Sequence, residues 1–278
     1  MAKHPLATEI TAAEESLAGY RWAAVGTDVR APVVLIHGYG EHARRHAALG
    51  KAASAAGHDL WSFDLPGHGV SPGARAVIRG YSEPIAAAKR TLRRAANIGG
   101  SLPILMGHSM GGAIALRLAL EEPELMRSLA LSSPFLIDAV PRPKFQLSAA
   151  KVIARVLPGL QVAKPDETKI SRDPKEVERY RTDPLNHHGG VPAVTGVTLH
   201  AEGEDLLAHA ADLKVDTLIV HGTADGYASI EGSRRLAASN PRVRLIEIEG
   251  GYHELHHDPP ETGVPDAVRQ HFLDWFGR

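Results

Sequence analysis

Two short stretches of this sequence contain residues that could carry out a reaction. The first is Gly107-His-Ser-Met-Gly111, a G-x-S-x-G pattern in which Ser109 stands between small residues. The second is His253-Glu-Leu-His-His257, which satisfies the H-E-x-x-H pattern of zinc proteases. The first pattern predicts a nucleophilic serine and the second a metal site, so the surrounding sequence has to decide between them.

The position of Ser109 favours nucleophilic chemistry. Strand signal at 103–106 and helix signal at 113–120 place the G-x-S-x-G pattern in a strand-to-helix turn. Small residues there permit a sharp turn that lifts the serine hydroxyl above a sheet. A free hydroxyl is a poor nucleophile, so Ser109 needs a base, and the base needs an acid that orients it. The pattern alone would also fit a small-residue turn that serves packing.

The chain order serine, acid, histidine predicts where these partners lie. Asp225 follows a predicted strand at 217–220, and His253 follows another at 243–248. Two glycines directly before the histidine loop allow the imidazole to return over the sheet. We therefore predict Ser109 as the nucleophile, Asp225 as the orienting acid and His253 as the base.

Backbone amides near the serine would stabilise the oxyanion that forms during attack. The loop that leaves the predicted strand at 33–36 lies beside the strand-to-helix turn, and glycines flank its Tyr39. We predict the N–H groups of Tyr39 and Met110 as the two oxyanion donors. Gly38 and His108, which neighbour them, are predicted to contact the substrate.

The remaining polar motifs are interpreted as structural. His37 is expected to brace its loop by hydrogen bonds rather than to act in catalysis. Asp64-x-x-Gly-His-Gly, with His68, is interpreted as a loop-shaping element beside the site. Four further histidines are interpreted as surface or loop residues, namely His42, His46, His187 and His188.

A zinc site at H-E-x-x-H would need a sustained helix, because only a helix places its two histidines on one face. Gly250 and Gly251 precede the pattern, and two prolines end any helix within two residues of His257. We therefore predict no metal and no cofactor. Glu254, His256 and His257 become neighbours of the base that could tune its pKa or contact the head group.

The predicted strands and helices that position these residues alternate along the chain, as in an α/β fold. Short apolar runs at 33–36, 60–63 and 103–106 alternate with helical patterns, which favours a mostly parallel sheet. From about 135 to 213 the pattern is helical, without a convincing strand. We predict a core at 1–134 and 214–278, with a helical cap at 135–213 inserted after the sixth strand.

Composition excludes several classes of partner. The chain has 278 residues, with 31 basic and 32 acidic side chains and a net charge of −1, so no nucleic-acid partner is expected. It contains no cysteine, which excludes disulfides and fits a reducing compartment. The first 22 residues lack the apolar region of a signal peptide, and no apolar run approaches the ~18 residues of a spanning helix. A soluble, cytoplasmic protein is expected.

The motifs together resemble the monoacylglycerol lipase and lysophospholipase branch of the α/β-hydrolase fold. The resemblance rests on His37-Gly-Tyr-Gly-Glu-His42, Asp64-Leu-Pro-Gly-His-Gly-Val-Ser71, Gly107-His-Ser-Met-Gly-Gly112 and Tyr252-His-Glu-Leu255, and on Ile170-Ser-Arg-Asp-Pro174 and Thr182-Asp-Pro-Leu185 in the cap. It implies an eight-stranded, mostly parallel sheet with helices on both faces and a cap over an apolar acyl tunnel. Gly226-Tyr227 and His256-His257 depart from the branch.

By this resemblance the chain would cleave the ester bond of a monoacylglycerol, a small-molecule lipid, through an acyl-enzyme. Val152 and Val156, which recur at helical spacing in the cap, are predicted to line the acyl site, although such residues often pack on protein instead. At most transient membrane or micelle contact through the cap is expected. A lysophospholipase, broad carboxylesterase or peptidase, a non-catalytic binding protein and a zinc protease stay open as alternatives, as do acyl length and oligomeric state.

Overall fold

The computed structural model describes residues 8–9, 17–141 and 143–278. Residues 1–7 and 10–16, which belong to the predicted core and to the segment searched for a signal peptide, lie outside the described residues. The strands are β1 (Thr8–Glu9), β2 (Gly19–Trp22), β3 (Arg30–Ile36), β4 (His58–Phe63), β5 (Ile104–His108), β6 (Ser128–Ser132), β7 (Gln161–Ala163), β8 (Val191–Pro192), β9 (Thr217–Gly222) and β10 (Val243–Ile248). The helices are α1 (Ala47–Ala55), α2 (Ser82–Gly99), α3 (Met110–Glu121), α4 (Lys144–Val156), α5 (Pro174–Thr182), α6 (Ala193–Ala208), α7 (Ile230–Ser239) and α8 (Val264–Phe276).

Eight strands form one sheet, in the order β1-β2-β4-β3-β5-β6-β9-β10. β2 pairs antiparallel with β1 and with β4. The pairings from β4 through β3, β5, β6 and β9 to β10 are parallel. The predicted mostly parallel sheet is therefore confirmed.

Alternate side chains of the central strands enter two separate apolar layers. Val34 and Ile36 of β3 pack with α2 and α3 on one face of the sheet. Val33 and Leu35 of the same strand pack with α1 and α8 on the other face. Because helices cover both faces, a central strand has no solvent side, which explains why its sequence is an unbroken apolar run.

The strand order reverses at β3, and this reversal locates the site. The chain passes from β3 to β4 on one side and then returns to β5 on the other side. Loops that leave the carboxyl ends of β3 and β5 therefore diverge and leave a crevice between them, where open α/β sheets bind ligands. The loop of Tyr39 and the turn of Ser109 both begin at this crevice.

The segment between β6 and β9 contains α4, α5 and α6, as its helical pattern predicts. It also contains the antiparallel pair β7 and β8, so the expectation of no strand between 135 and 213 is wrong. Strands of three and two residues are too short to produce a recognisable apolar run. That 135–213 form a separate cap domain stays a prediction. Within the part of the chain that is described, the helices are too short or too polar to cross a membrane.

Candidate active site

Ser109 occupies a strained backbone position between β5 and α3. Its φ of 52° and ψ of −119° lie outside the regions that non-glycine residues ordinarily adopt. The turn is held because the amides of Gly112 and Ala113 donate to the Ser109 carbonyl at 2.9 and 3.1 Å. The predicted sharp strand-to-helix turn is thus present, and it turns the serine toward a large cavity that its side chain lines.

Two glycines in this turn are required by close backbone approach. A Cβ at Gly107 would lie 2.3 Å from the carbonyl oxygen of Gly111. A Cβ at Gly111 would lie 2.2 Å from the carbonyl oxygen of Ile36 and 2.4 Å from that of His37. Since these oxygens belong to backbone that cannot swing away, the turn closes on itself only with glycine at 107, and it fits against the end of β3 only with glycine at 111.

Asp225 and His253 meet at the ends of β9 and β10. His253 Nδ1 lies 2.7 Å from Asp225 Oδ2, and His221 Nε2 lies 3.2 Å from the same oxygen. The other carboxylate oxygen accepts hydrogen bonds from the amides of Tyr227 and Ala228 at 2.8 and 3.0 Å. A carboxylate with four partners has a fixed orientation, and its contact with His253 Nδ1 in turn orients the imidazole ring.

The electrostatics of this pair keep the carboxyl ionised. Burial alone would raise the pKa of Asp225, but the nearby His253 and His221 rings outweigh it and hold that pKa well below its ordinary value. Burial alone would lower the pKa of His253, but Asp225 outweighs it and raises that pKa above 6.5. An imidazole with this environment is a stronger base than a free histidine.

The structure brings Ser109 and His253 to the wall of the same cavity, although they are 144 positions apart in the chain. His108 directly precedes Ser109 in the chain, and its ring centre lies 5.0 Å from that of His253. Burial lowers the pKa of His108 to about 3, so this ring is neutral. His108 and Gly38, both predicted to contact substrate, line the cavity as well.

The predicted oxyanion amides belong to a loop that touches the serine and to the residue that follows it in the chain. A Cβ at Gly38 would be 3.2 Å from Ser109 Cβ, which places the loop of Tyr39 directly against the serine side chain. The Gly38 amide donates to Glu41 Oε1 at 2.6 Å, and this bond fixes the peptide that precedes the Tyr39 amide. Met110 is the first residue of α3, where helix amides have no partner within the helix and the helix dipole favours negative charge.

A buried ionic group lies behind these residues, and the sequence does not predict it. Arg45 is paired with Glu41, at 3.3 Å between Nε and Oε2, and also with Glu254. Burial would raise the pKa of Glu254, but Arg45 outweighs it and lowers that pKa to about 2. Arg45 follows Glu41 by four positions, a spacing that could have indicated a pair on one helical turn.

The H-E-x-x-H residues do not form the zinc arrangement. Only Leu255–His257 are helical, as a short 3-10 turn that begins after His253 and Glu254, and His253 faces Asp225. Donor atoms of Glu254, His256 and His257 come within 4.8 Å of one another. However, His257 Nδ1 lies 2.7 Å from the Glu254 carboxylate, and the Arg45 guanidinium contacts both groups, so a cation is already paired with this carboxylate.

Among the histidines interpreted as structural, His37 braces its loop. Its ring accepts a hydrogen bond from the Leu65 amide at 2.9 Å and contacts the Gly38 carbonyl at 2.8 Å. His42 and His46 are buried, so neither is a surface residue; His42 does lie in a loop, as predicted, whereas His46 is the last residue of a 3-10 turn. The physical reason is contact between segments far apart in sequence: His42 Nε2 lies 2.9 Å from Asp183 Oδ2, and the His46 ring stacks on that of His256.

A cavity of about 1250 Å³ leads from Ser109 between the sheet and the cap helices. Leu147 and Ile153 of α4 line it, together with Leu199 of α6. Val152 and Val156 do not line it: they are 64% and 72% exposed on a different side of α4, which corrects the prediction that they contact the acyl chain. Helical spacing identifies which residues share a face, but it does not reveal which of two apolar faces points inward.

Comparison with known proteins gives consistent matches. The profile of the family described as serine aminopeptidase, S33 matches residues 27–260. A monoacylglycerol lipase of Mycolicibacterium smegmatis is 36% identical, covering 87% of this chain and 88% of its own. A monoglyceride lipase of Rattus norvegicus is 31% identical, covering 91% of this chain and 84% of its own. The crystal structure of a monoacylglycerol lipase from Paleococcus ferrophilus is 32% identical and covers 94% of this chain and 98% of its own, with a TM-score of 0.81.

Proposed function

This chain belongs to the serine aminopeptidase S33 family and, within the α/β-hydrolase fold, to its monoacylglycerol lipase branch, and on that premise we propose that it hydrolyses monoacylglycerols. The products would be a free fatty acid and glycerol. The observation that carries the proposal is the 2.7 Å contact between His253 Nδ1 and Asp225 Oδ2, at the wall of the cavity that Ser109 also lines.

In this mechanism the Ser109 hydroxyl attacks the ester carbonyl while His253 Nε2 takes the hydroxyl proton. The carbonyl oxygen becomes an oxyanion, which the amides of Tyr39 and Met110 stabilise by hydrogen bonds. His253 then gives its proton to the leaving glycerol oxygen, and the acyl group stays on the serine. Water, deprotonated by His253, attacks this acyl-enzyme and releases the fatty acid together with the free serine.

The shape of the cavity supports a single-chain lipid as substrate. Its volume of about 1250 Å³ and its apolar cap residues suit an acyl chain, whereas the region next to Ser109 is polar. There Glu41 and Glu254 line the cavity, and because the single Arg45 guanidinium offsets only one of their two charges, the remaining negative charge favours an uncharged glycerol head over a phosphate-bearing one. A lysophospholipase is therefore the less favoured alternative.

Two further proposals concern membrane contact and cellular location. We propose brief contact of the cap with micelles or membranes, because Phe145 joins Val152 and Val156 on an exposed apolar face of α4. We also propose a cytoplasmic location, which the absence of cysteine from the sequence supports.

The test of the nucleophile is labelling by a fluorophosphonate probe. The unaltered protein should react at a single serine, and Ser109→Ala should abolish both labelling and ester hydrolysis. The matched control is Ser101→Ala, which alters an exposed serine between α2 and β5. Full labelling of the Ser109→Ala protein would remove the proposed nucleophile.

The test of the substrate is a comparison of head groups at constant acyl length. Monoacylglycerols should turn over faster than lysophosphatidylcholine and lysophosphatidic acid with the same acyl chain. Aminoacyl p-nitroanilides should be poor substrates, and they serve as the control for peptidase activity. Faster hydrolysis of either lysophospholipid, or of the anilides, would replace the proposed substrate while leaving Ser109 as the nucleophile.

A further inference from the structure

The part of the cap around α5 contacts both loops that carry the proposed catalytic groups. We define residues 170–187 as the bridging segment. Its first residues contact the loop after His253: the Ile170 carbonyl accepts a hydrogen bond from the Glu254 amide at 2.8 Å, and Ser171 Oγ donates to the His257 carbonyl at 2.6 Å. These bonds attach the backbone directly after the proposed base to the cap.

The strongest contact at this end is an ion pair. Arg172 Nε donates to Asp258 Oδ1 at 2.9 Å, and a second guanidinium nitrogen donates to the other carboxylate oxygen. The Asp258 side chain is only 1% exposed, and Arg172 is the cation paired with it. Bidentate pairs of this kind fix geometry as well as distance.

The last residues of the bridging segment contact the loop that carries the proposed oxyanion amide. The Gly40 carbonyl accepts hydrogen bonds from the His187 amide at 2.8 Å and from the Tyr180 hydroxyl at 3.3 Å. Asp183 Oδ2 lies 2.9 Å from His42 Nε2. The bridging segment therefore holds the residue directly after Tyr39, through the carbonyl of the Gly40–Glu41 peptide.

A rigid element connects the two ends. α5 begins at Pro174, and the Asp173 side chain caps it by accepting from the Lys175 amide at 2.9 Å. Near its far end, the Tyr180 ring lies 4.9 Å from the guanidinium of Arg45, which itself pairs with Glu41 and Glu254. A capped helix of nine residues does not change length, so it fixes the separation of the two loops it contacts.

We propose that the bridging segment is a positioning element that holds the proposed base and the proposed oxyanion amide in the geometry needed for reaction. Arg172 and Tyr180 are its principal positioning residues, acting through Asp258 and through the Gly40 carbonyl respectively. The inference rests on the roles proposed above for Ser109, Tyr39 and His253. Under this proposal the two parts of the cap have different roles. The bridging segment positions the catalytic groups, and α4 lines the site of the acyl chain.

The two possible roles of the bridging segment have different kinetic signatures. If it only covered the acyl chain, its variants would raise KM for long-chain esters and leave short-chain esters unaffected. A positioning element instead affects the transition state, so its variants lower kcat for short and long chains alike. The relevant substrates are p-nitrophenyl butyrate and p-nitrophenyl laurate, which report on this question whether or not monoacylglycerols are substrates.

Three variants test the proposal. Tyr180→Phe removes one hydrogen bond and keeps the ring, and it should lower kcat about 2- to 10-fold on both esters with KM within twofold. Arg172→Gln should lower kcat more than tenfold, and Arg172→Lys should recover part of the loss because it keeps the charge but not the bidentate geometry. Arg155→Gln, an exposed arginine on α4, is the matched control and should leave kcat unchanged. The rate of phosphonylation by a small fluorophosphonate should fall in parallel with kcat.

The result that overturns the proposal is an unchanged kcat on both esters in folded Tyr180→Phe and Arg172→Gln proteins, or a KM increase confined to the laurate. Melting temperatures show whether each variant is folded at the assay temperature. If Arg172→Gln is unfolded, Tyr180→Phe decides alone, since it removes one hydroxyl and no packing. Failure of the monoacylglycerol assay with intact p-nitrophenyl kinetics would instead remove the proposed substrate and leave this inference standing.

Discussion

Asp225 Oδ2 lies 2.7 Å from His253 Nδ1, while the other oxygen of the same carboxylate is held by two backbone amides. The backbone thus fixes the acid, and the acid fixes the ring. His221 Nε2, from within β9, adds a fourth contact to this carboxylate at 3.2 Å. The orientation of the imidazole is therefore determined by groups at the end of β9, although His253 itself belongs to the loop that follows β10.

Replacing Asp225 by asparagine should keep the shape of the site but remove the charge that favours the required tautomer of His253. We expect kcat on p-nitrophenyl butyrate to fall by about 10³- to 10⁴-fold, with KM little changed. Asp216→Asn, which alters an exposed carboxylate paired with Arg242, is the control and should behave like the unaltered protein. A loss smaller than tenfold in a folded Asp225→Asn protein would mean that another group orients the base.

The pH dependence of kcat/KM should report the protonation of His253. The pKa of this ring lies above 6.5 because Asp225 outweighs the burial that would lower it, and Glu254 and Glu41 add to the increase. Protonated imidazole cannot accept the serine proton, so activity should fall as the pH decreases through this pKa. Removing a negative charge near the ring lowers its pKa, so Glu254→Gln should move the acid limb to lower pH.

The measurement is a kcat/KM profile on a p-nitrophenyl ester from pH 5 to 9. Glu261→Gln, which alters an exposed carboxylate shortly after the same loop, should leave the acid limb in place. If Glu254→Gln shifts the limb to higher pH, then the carboxylate does not act on the base through its charge.

The strand-to-helix turn should tolerate no side chain at Gly111. A Cβ there would lie 2.2 Å from the Ile36 carbonyl oxygen, so Gly111→Ala has to displace β3 or α3. We expect a loss of stability of about 1–3 kcal/mol, measured by urea unfolding, together with a loss of fluorophosphonate labelling.

A glycine substitution in an open helical position provides the control. A Cβ at Gly196 in α6 would come no closer than 3.8 Å to Val191 Cγ1. Gly196→Ala should therefore stabilise the protein by about 0.4–1 kcal/mol, because alanine restricts the unfolded chain. Equal effects of the two substitutions would contradict the close approach inferred at Gly111.

Local sequence features account for the parts of this structure that depend on neighbouring residues. The apolar runs predict β3, β5 and β9 because strands covered on both faces need no polar positions. The small residues around Ser109 predict the strained turn, and the glycines before His253 predict the returning loop. The family matches and the solved structures confirm the predicted α/β-hydrolase fold.

The parts that the sequence does not predict depend on contacts between distant segments. His42 is buried beside Asp183, 141 positions away, and His46 is buried against His108 and His256. Arg45 pairs with Glu254 across 209 positions, and nothing near either residue indicates it. The inward face of α4 likewise depends on where α6 packs, which helical periodicity cannot specify.

The two faces of α4 should therefore respond differently to the same substitution. Ile153 lines the cavity, so Ile153→Trp should fill part of the proposed acyl site and shift the preferred chain length of monoacylglycerols toward shorter acyl groups. We expect at least a tenfold fall in kcat/KM on long chains, since a bulky side chain in a packed site costs about 1–3 kcal/mol. Val152→Trp, one position away on the exposed face, should leave the profile on monomeric substrates unchanged. The measurement is kcat/KM over a series from C4 to C18, and an identical shift in both variants would show that the acyl chain does not follow this cavity.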